Sequence, residues 1–87
     1  MMQPDATEAR RKRLQWRATH RGIKEMDLML GGFVIRHLAA FSEAEIADLE
    51  RIMDIPDQDM LSWATKQAEV PPEHVSPLLT RILAYTP

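Results

Sequence analysis

Four residue types capable of recognition chemistry stand close together in the stretch Arg21-Gly22-Ile23-Lys24-Glu25-Met26-Asp27. Arg offers a planar fork of donors that matches carboxylates and carbonyls. Gly adopts backbone conformations closed to other residues and lets two backbones approach. Glu25 and Asp27 add carboxylates at fixed offsets. Such a set can lock a turn between two helices, present a contact surface, or do both. It is a poor set for covalent catalysis. The chain has no Cys, and Ser42 reads as a helix cap, so no nucleophile with an adjacent base is visible. His20, His37 and His74 are widely spaced and lack metal-ligand spacing such as HExxH. Gly31-Gly32 lacks both the GxGxxG pattern and a preceding strand, so no dinucleotide loop is expected. Catalytic residues, metal ligands and cofactor-binding residues are therefore all expected to be absent.

The elements around this stretch read as helices. Asp5 with Glu8 has the spacing of a capping box, and a basic helix is expected from about Ala6 to His20. Leu14 and Ala18, four apart, share one face of it. Gly22 suits the left-handed residue that ends such a helix. A second helix is expected from about Ile23 to Ala39, because Met26, Met29, Leu30, Phe33, Val34, His37, Leu38 and Phe41 recur with helical spacing. Gly31-Gly32 conflicts with it, since each Gly costs about 1 kcal/mol against Ala inside a helix. The pair implies a kink, a close approach of another helix, or a break.

Ser42 and Glu45 form a second capping box, opening a third helix over about Glu43–Met53 with Ile46, Leu49, Ile52 and Met53 inward. Pro56 disfavours helix at Ile55. Asp57 then reads as the cap of a short fourth helix over about 58–67, with Met60, Trp63 and Ala64 on one face. Pro71-Pro72 is a turn. A last helix starts after it or at Ser76, with Pro77 in the first helical position and Val75, Leu78, Leu79, Ile82 and Leu83 as its apolar stripe. No period-two alternation is convincing. The expected fold is all-α: a compact five-helix bundle with short connections, in a single domain over 1–87 with 1–5 as a flexible tail.

Composition narrows the function classes. The chain is 45% hydrophobic and 28% charged over 87 residues, which fits one ordinary globular domain. The longest uncharged run, Leu28 to Ile35, is too short to span a membrane, so no membrane insertion is expected. No secretory signal is evident, and the simplest compartment is the cytoplasm. Net charge is −2 but unevenly spread. Arg10, Arg11, Lys12, Arg13, Arg17, Arg21 and Lys24 face only Asp5 and Glu8 in the first 24 residues, a local charge of +5. The remainder carries −7. The basic end should attract an acidic partner surface. A basic helix with Trp16 also invites a nucleic-acid reading. Against that stand the acidic whole and the lack of a helix-turn-helix pattern, so no nucleic-acid partner is expected.

The stretch resembles the RGxxE signature of the SdhE-type FAD assembly factors. Met26 and Asp27 match the apolar residue and the Asp that follow it in that family. A second patch is similar too: Leu49-Glu50-Arg51-Ile52-Met53, then Ile55-Pro56-Asp57-Gln58-Asp59-Met60-Leu61-Ser62-Trp63. Together these span most of the chain between Arg10 and Leu83. The resemblance implies an all-α fold and a role as an assembly chaperone rather than an enzyme. The implied partner is the flavoprotein subunit of succinate dehydrogenase, with fumarate reductase as a further candidate. The factor would promote covalent attachment of FAD, which belongs to the client, and would hold no cofactor stably itself. Arg21, Gly22 and Glu25 are implied as central contacts, flanked by Lys24, Met26 and Asp27. Arg13 and Arg17 would steer docking. The free protein is expected to be a monomer. The alternative is a nucleic-acid-binding or antitoxin-like interaction module using the basic first helix.

Overall fold

The computed structural model of the chain describes residues 6–86. The tail expected over 1–5, and Asp5 with its capping box, lie outside the described residues. Five helices form, and among the described residues there is no strand. The first helix, Ala6–Thr19, is followed by the short joint that carries Arg21 and Gly22. The second runs over 24–40 in four unbroken pieces. It is α-helical over Lys24–Met26, a wider π-helix over Asp27–Gly31, α-helical again over Gly32–His37, and 3-10 over Leu38–Ala40. The third helix is Glu43–Met53, the fourth Asp57–Ala64 and the fifth Pro77–Leu83. A single 3-10 turn, Pro72–His74, lies between the last two.

The helix starts follow their caps. The Ser42 hydroxyl accepts the Glu45 backbone N–H at 3.1 Å, and the Glu45 carboxylate accepts the Ser42 N–H at 2.9 Å. Ser76 does the first half of the same job, accepting the Leu79 N–H at 3.1 Å ahead of Pro77. These contacts satisfy N–H groups that a helix start leaves unpaired. The fourth helix departs from expectation. Its cap position is Pro56, whose side chain can accept nothing, and Asp57 is the first helical residue. The Asp57 carboxylate is engaged elsewhere. The helix also stops three residues early. Lys66 takes φ +62°, and the N–H groups of Gln67 and Ala68 turn back to the Ser62 carbonyl at 2.8 and 3.2 Å. The left-handed residue ends the helix as a Gly would.

One core joins all five helices. Leu14 and Ala18 enter from the first, Met26, Leu30, Phe33 and Val34 from the second, and Ile46, Leu49 and Ile52 from the third. Met60 and the trio Leu78, Leu79 and Ile82 close it. Trp63 and Ala64 pack against its edge, but Val75, expected on the inner stripe, is exposed because it precedes the fifth helix. The Gly31-Gly32 pair does not break the second helix. Gly31 is buried where the second helix crosses the first, and a Cβ there would meet the Ala18 carbonyl oxygen at 3.0 Å. Of the three possibilities read from the sequence, close approach is the one realised, together with a local widening into π-helix.

The candidate functional site

The joint between the first two helices is built around Arg21. Its backbone N–H donates to the Asp27 carboxylate at 2.7 Å. Its side chain turns inward rather than out. Nε donates to Asp57 Oδ1 at 2.7 Å, Nη1 to the Met53 carbonyl at 3.0 Å and Nη2 to the Ile55 carbonyl at 3.1 Å. Met53 is the last residue of the third helix, where unpaired carbonyls and the dipole favour a cation. Asp57 opens the fourth helix, where a carboxylate is favoured. One guanidinium thus ties the end of one helix to the start of the next. The Arg21 and Asp57 side chains are only 10% and 15% exposed.

Between Arg21 and Asp27 the backbone has little freedom left. Gly22 takes φ +94°, a conformation that L side chains rarely adopt. Ile23 is extended, and its carbonyl accepts both the Met26 and Asp27 N–H groups at 3.0 Å. The signature residues consequently part company. Gly22, Lys24 and Glu25 are exposed. Among the described residues Lys24 and Glu25 have no side-chain partner. Asp27 is half-buried and used in holding the turn. Met26, expected as a flanking contact, is instead wholly buried, because its helical phase aims it at the core. Arg21 likewise is not the outward-facing fork that its chemistry suggested.

A cleft runs beside this edge, lined by Trp16, Arg17 and His20 on one wall and Asp54, Ile55 and Pro56 on the other. Trp16 is 62% exposed and its ring stacks on His20, with centroids 4.4 Å apart and planes within 12°. The signal for this pair was present in the sequence. Trp16 is the large apolar residue off the Leu14–Ala18 face of a charged helix, and His20 follows it by one turn.

A family model described as a flavinator of succinate dehydrogenase matches residues 12–86. The chain belongs to that family. The matched span includes the whole joint and Asp57. Among individual relatives, the FAD assembly factor SdhE of Acetobacter pasteurianus is 37% identical over 79 residues, covering 91% of this chain and 72% of that protein. The mitochondrial succinate dehydrogenase assembly factor 2 of Scheffersomyces stipitis is 41% identical over 68 residues, covering 78% of this chain and 46% of its own. Its counterpart in Dictyostelium discoideum is 35% identical over 72 residues, covering 83% and 51%. The chain spans about half the length of these mitochondrial relatives.

The charge map of this family member differs from the one expected. The basic first helix lies against the acidic third helix, and two of its four arginines, Arg10 and Arg17, are engaged there. Arg10 grips Glu50 through Nε and Nη2, at 3.2 and 2.6 Å, and also pairs with Glu43. Arg17 pairs with Asp54 at 3.0 Å. Arg11 donates to the Leu38 and Phe41 carbonyls at 2.6 and 3.0 Å, at the end of the second helix. The hydrogen bonds from Arg10 hold the Glu50 carboxyl below its ordinary pKa, and bonds with Ser42 do the same for Glu45. Of the two residues expected to steer docking, Arg17 is therefore paired within the fold, while Arg13 is exposed and has no partner among the described residues. With Arg10 and Arg17 held by carboxylates and Arg11 by carbonyls, Arg13 is the guanidinium of this helix with no partner among the described residues, which leaves few charges to neutralise phosphates. Among the described residues no three His, Asp or Glu side chains come together to hold a metal ion. No described helix is long and apolar enough to cross a membrane.

Proposed function

We propose that this chain binds the flavoprotein subunit of succinate dehydrogenase in the cytoplasm and promotes its covalent attachment of FAD, with fumarate reductase as a further client. The observation that carries the proposal is the Gly22–Glu25 edge: an exposed glycine, lysine and glutamate on a turn held from both ends. A rigid, exposed edge suits a contact surface, because little conformational entropy is lost when it docks. Family membership and the names of the relatives supply the client. The flavin chemistry then belongs to the client. This chain contributes positioning, by favouring the client conformation in which the reacting groups are aligned. It acts without a stably bound cofactor of its own. Lys24 and Glu25 are the proposed charged contacts, Gly22 the point of close backbone approach, and the Trp16–His20 stack the flanking wall.

The test is covalent flavin on the client. The flavoprotein subunit is expressed in cells lacking the factor, complemented with wild type, Glu25→Ala or Gly22→Arg, and read by in-gel flavin fluorescence after denaturation. Wild type should restore the signal and folded Glu25→Ala should not. A signal that is independent of the wild-type factor would sink the proposal.

A further inference from the structure

We infer that Arg21 and Asp57 act as a positioning pair for the contact edge, with Arg21 bound inside the fold and not to the client. The inference rests on the reading above and assigns these two residues a role distinct from that of Gly22, Lys24 and Glu25.

Three observations support it. First, the donors of Arg21 are already used. Nε, Nη1 and Nη2 each reach an oxygen within the protein, at 2.7 to 3.1 Å. A client acceptor would have to displace the Met53 or Ile55 carbonyl, or the Asp57 carboxylate, from a side chain that is 10% exposed. Second, the same residue is fixed at both ends. Asp27 holds its backbone N–H while Asp57 holds its guanidinium. The turn that exposes Gly22 and Glu25 is thereby anchored to the junction of the third and fourth helices, 36 positions away in sequence. Third, the chemistry requires a fork. The three acceptors come from Met53, Ile55 and Asp57, and a lysine ammonium cannot reproduce the planar, pre-organised geometry that reaches all of them. Losing either partner leaves the other with little solvent to replace it.

The test compares Arg21→Lys, Arg21→Gln, Asp57→Asn and the Arg21→Gln/Asp57→Asn double variant with wild type and Glu25→Ala. Affinity for the purified flavoprotein subunit and covalent flavin are measured where circular dichroism shows each variant folded. A positioning pair predicts that Asp57→Asn, which touches no client in this account, weakens binding tenfold or more. It also predicts that Arg21→Lys does not rescue, and that the double variant is no worse than the poorer single. If Asp57→Asn binds like wild type, or if the losses of the two single variants simply multiply, the pair is not a unit and the inference fails while the Glu25 result still stands. If Glu25→Ala also binds and supports flavinylation like wild type, both readings fall.

A wild-type measurement covers the case in which the variants do not fold. The Arg21 Nε–H should exchange with solvent at least tenfold more slowly than that of Arg13 in the free protein, and its NMR shift should stay put when the client binds. Exchange as fast as in Arg13, or a shift that moves with the client, overturns the inference.

Discussion

Gly31 packs so closely on Ala18 that a side chain at Gly31 would meet the Ala18 carbonyl oxygen at 3.0 Å, with the Thr19 Cα at 3.3 Å. Both are backbone atoms of the first helix and cannot swing aside. At Gly32, its neighbour, the nearest atoms a Cβ would meet are those of the Tyr85 side chain, at 3.1 Å. The two glycines should therefore answer differently to alanine. Gly31→Ala gains helix propensity of about 1 kcal/mol but must push two helices apart, for a net loss of about 1–2 kcal/mol. Gly32→Ala keeps the gain while the half-buried Tyr85 side chain shifts, so its stability should stay within about 0.5 kcal/mol of wild type. Denaturant melts of the two variants check this, and equal effects would refute it.

Gly22 and Lys66 form a second contrast. Both have positive φ, at +94° and +62°. A Cβ at Gly22 would meet nothing within 4 Å, so Gly22→Ala should cost only backbone strain, about 1–2 kcal/mol. Lys66 already carries such strain at an exposed helix end. Lys66→Gly should relieve it and, after the added freedom of the unfolded chain, stabilise by about 0.5 kcal/mol. Thermal melts should show opposite signs, since about 1 kcal/mol moves Tm by several degrees in a domain of this size.

The two carboxyls with lowered pKa set a pH dependence. Arg10 holds Glu50, and Ser42 holds Glu45, below the ordinary value of 4.5. A carboxyl depressed in the folded state binds its proton more readily once unfolded. Its contribution is therefore complete above about pH 4.5 and drains away as pH falls through the lower folded value. Tm should be flat near neutrality and drop on acidification below that point. Glu50→Gln should flatten part of the drop. A variant with the full wild-type slope would show that the Arg10 clamp contributes nothing to it.

Arg13 and Arg17 should differ in docking kinetics. Arg13 is exposed without a partner among the described residues, whereas Arg17 is paired to Asp54. Arg13→Gln should slow association with an acidic client by about twofold at low salt and reduce the salt dependence of the rate. Arg17→Gln should change it less, because its charge is already offset. Stopped-flow association at two ionic strengths tests the difference, and a larger effect from Arg17 would reverse the assignment.

Local signals were legible in the sequence and long-range pairings were not. The Ser42–Glu45 box and the Ser76-Pro77 start are contacts between residues three apart, so spacing alone reveals them. The inward stripe of the third helix followed from its period in the same way. Asp57 shows the opposite case. By spacing it looked like a cap, yet its carboxylate serves Arg21 across 36 positions, and no local pattern encodes that. The opposite charges of the two halves were visible, but not that they would meet. Read as a field directed outward, they are in part the Arg10–Glu50, Arg17–Asp54 and Arg21–Asp57 contacts inside the fold. The signature Arg21-Gly22-x-x-Glu25 was legible as a unit, but its inward and outward members could be separated only by the phase of the helix behind it.

That phase depends on the wide turn at Asp27–Gly31. A π-helical turn holds one residue more than an α-helical turn. Wound as ordinary α-helix with every residue kept, the segment would rotate Lys24–Met26 by about 100°, one residue's step, relative to Gly32–His37. Met26 would leave the core, and the face that shows Lys24 and Glu25 would swing with it. Which signature residues meet the solvent is in this sense a matter of counting: the outward edge is specified by the number of residues in one turn as much as by their identity.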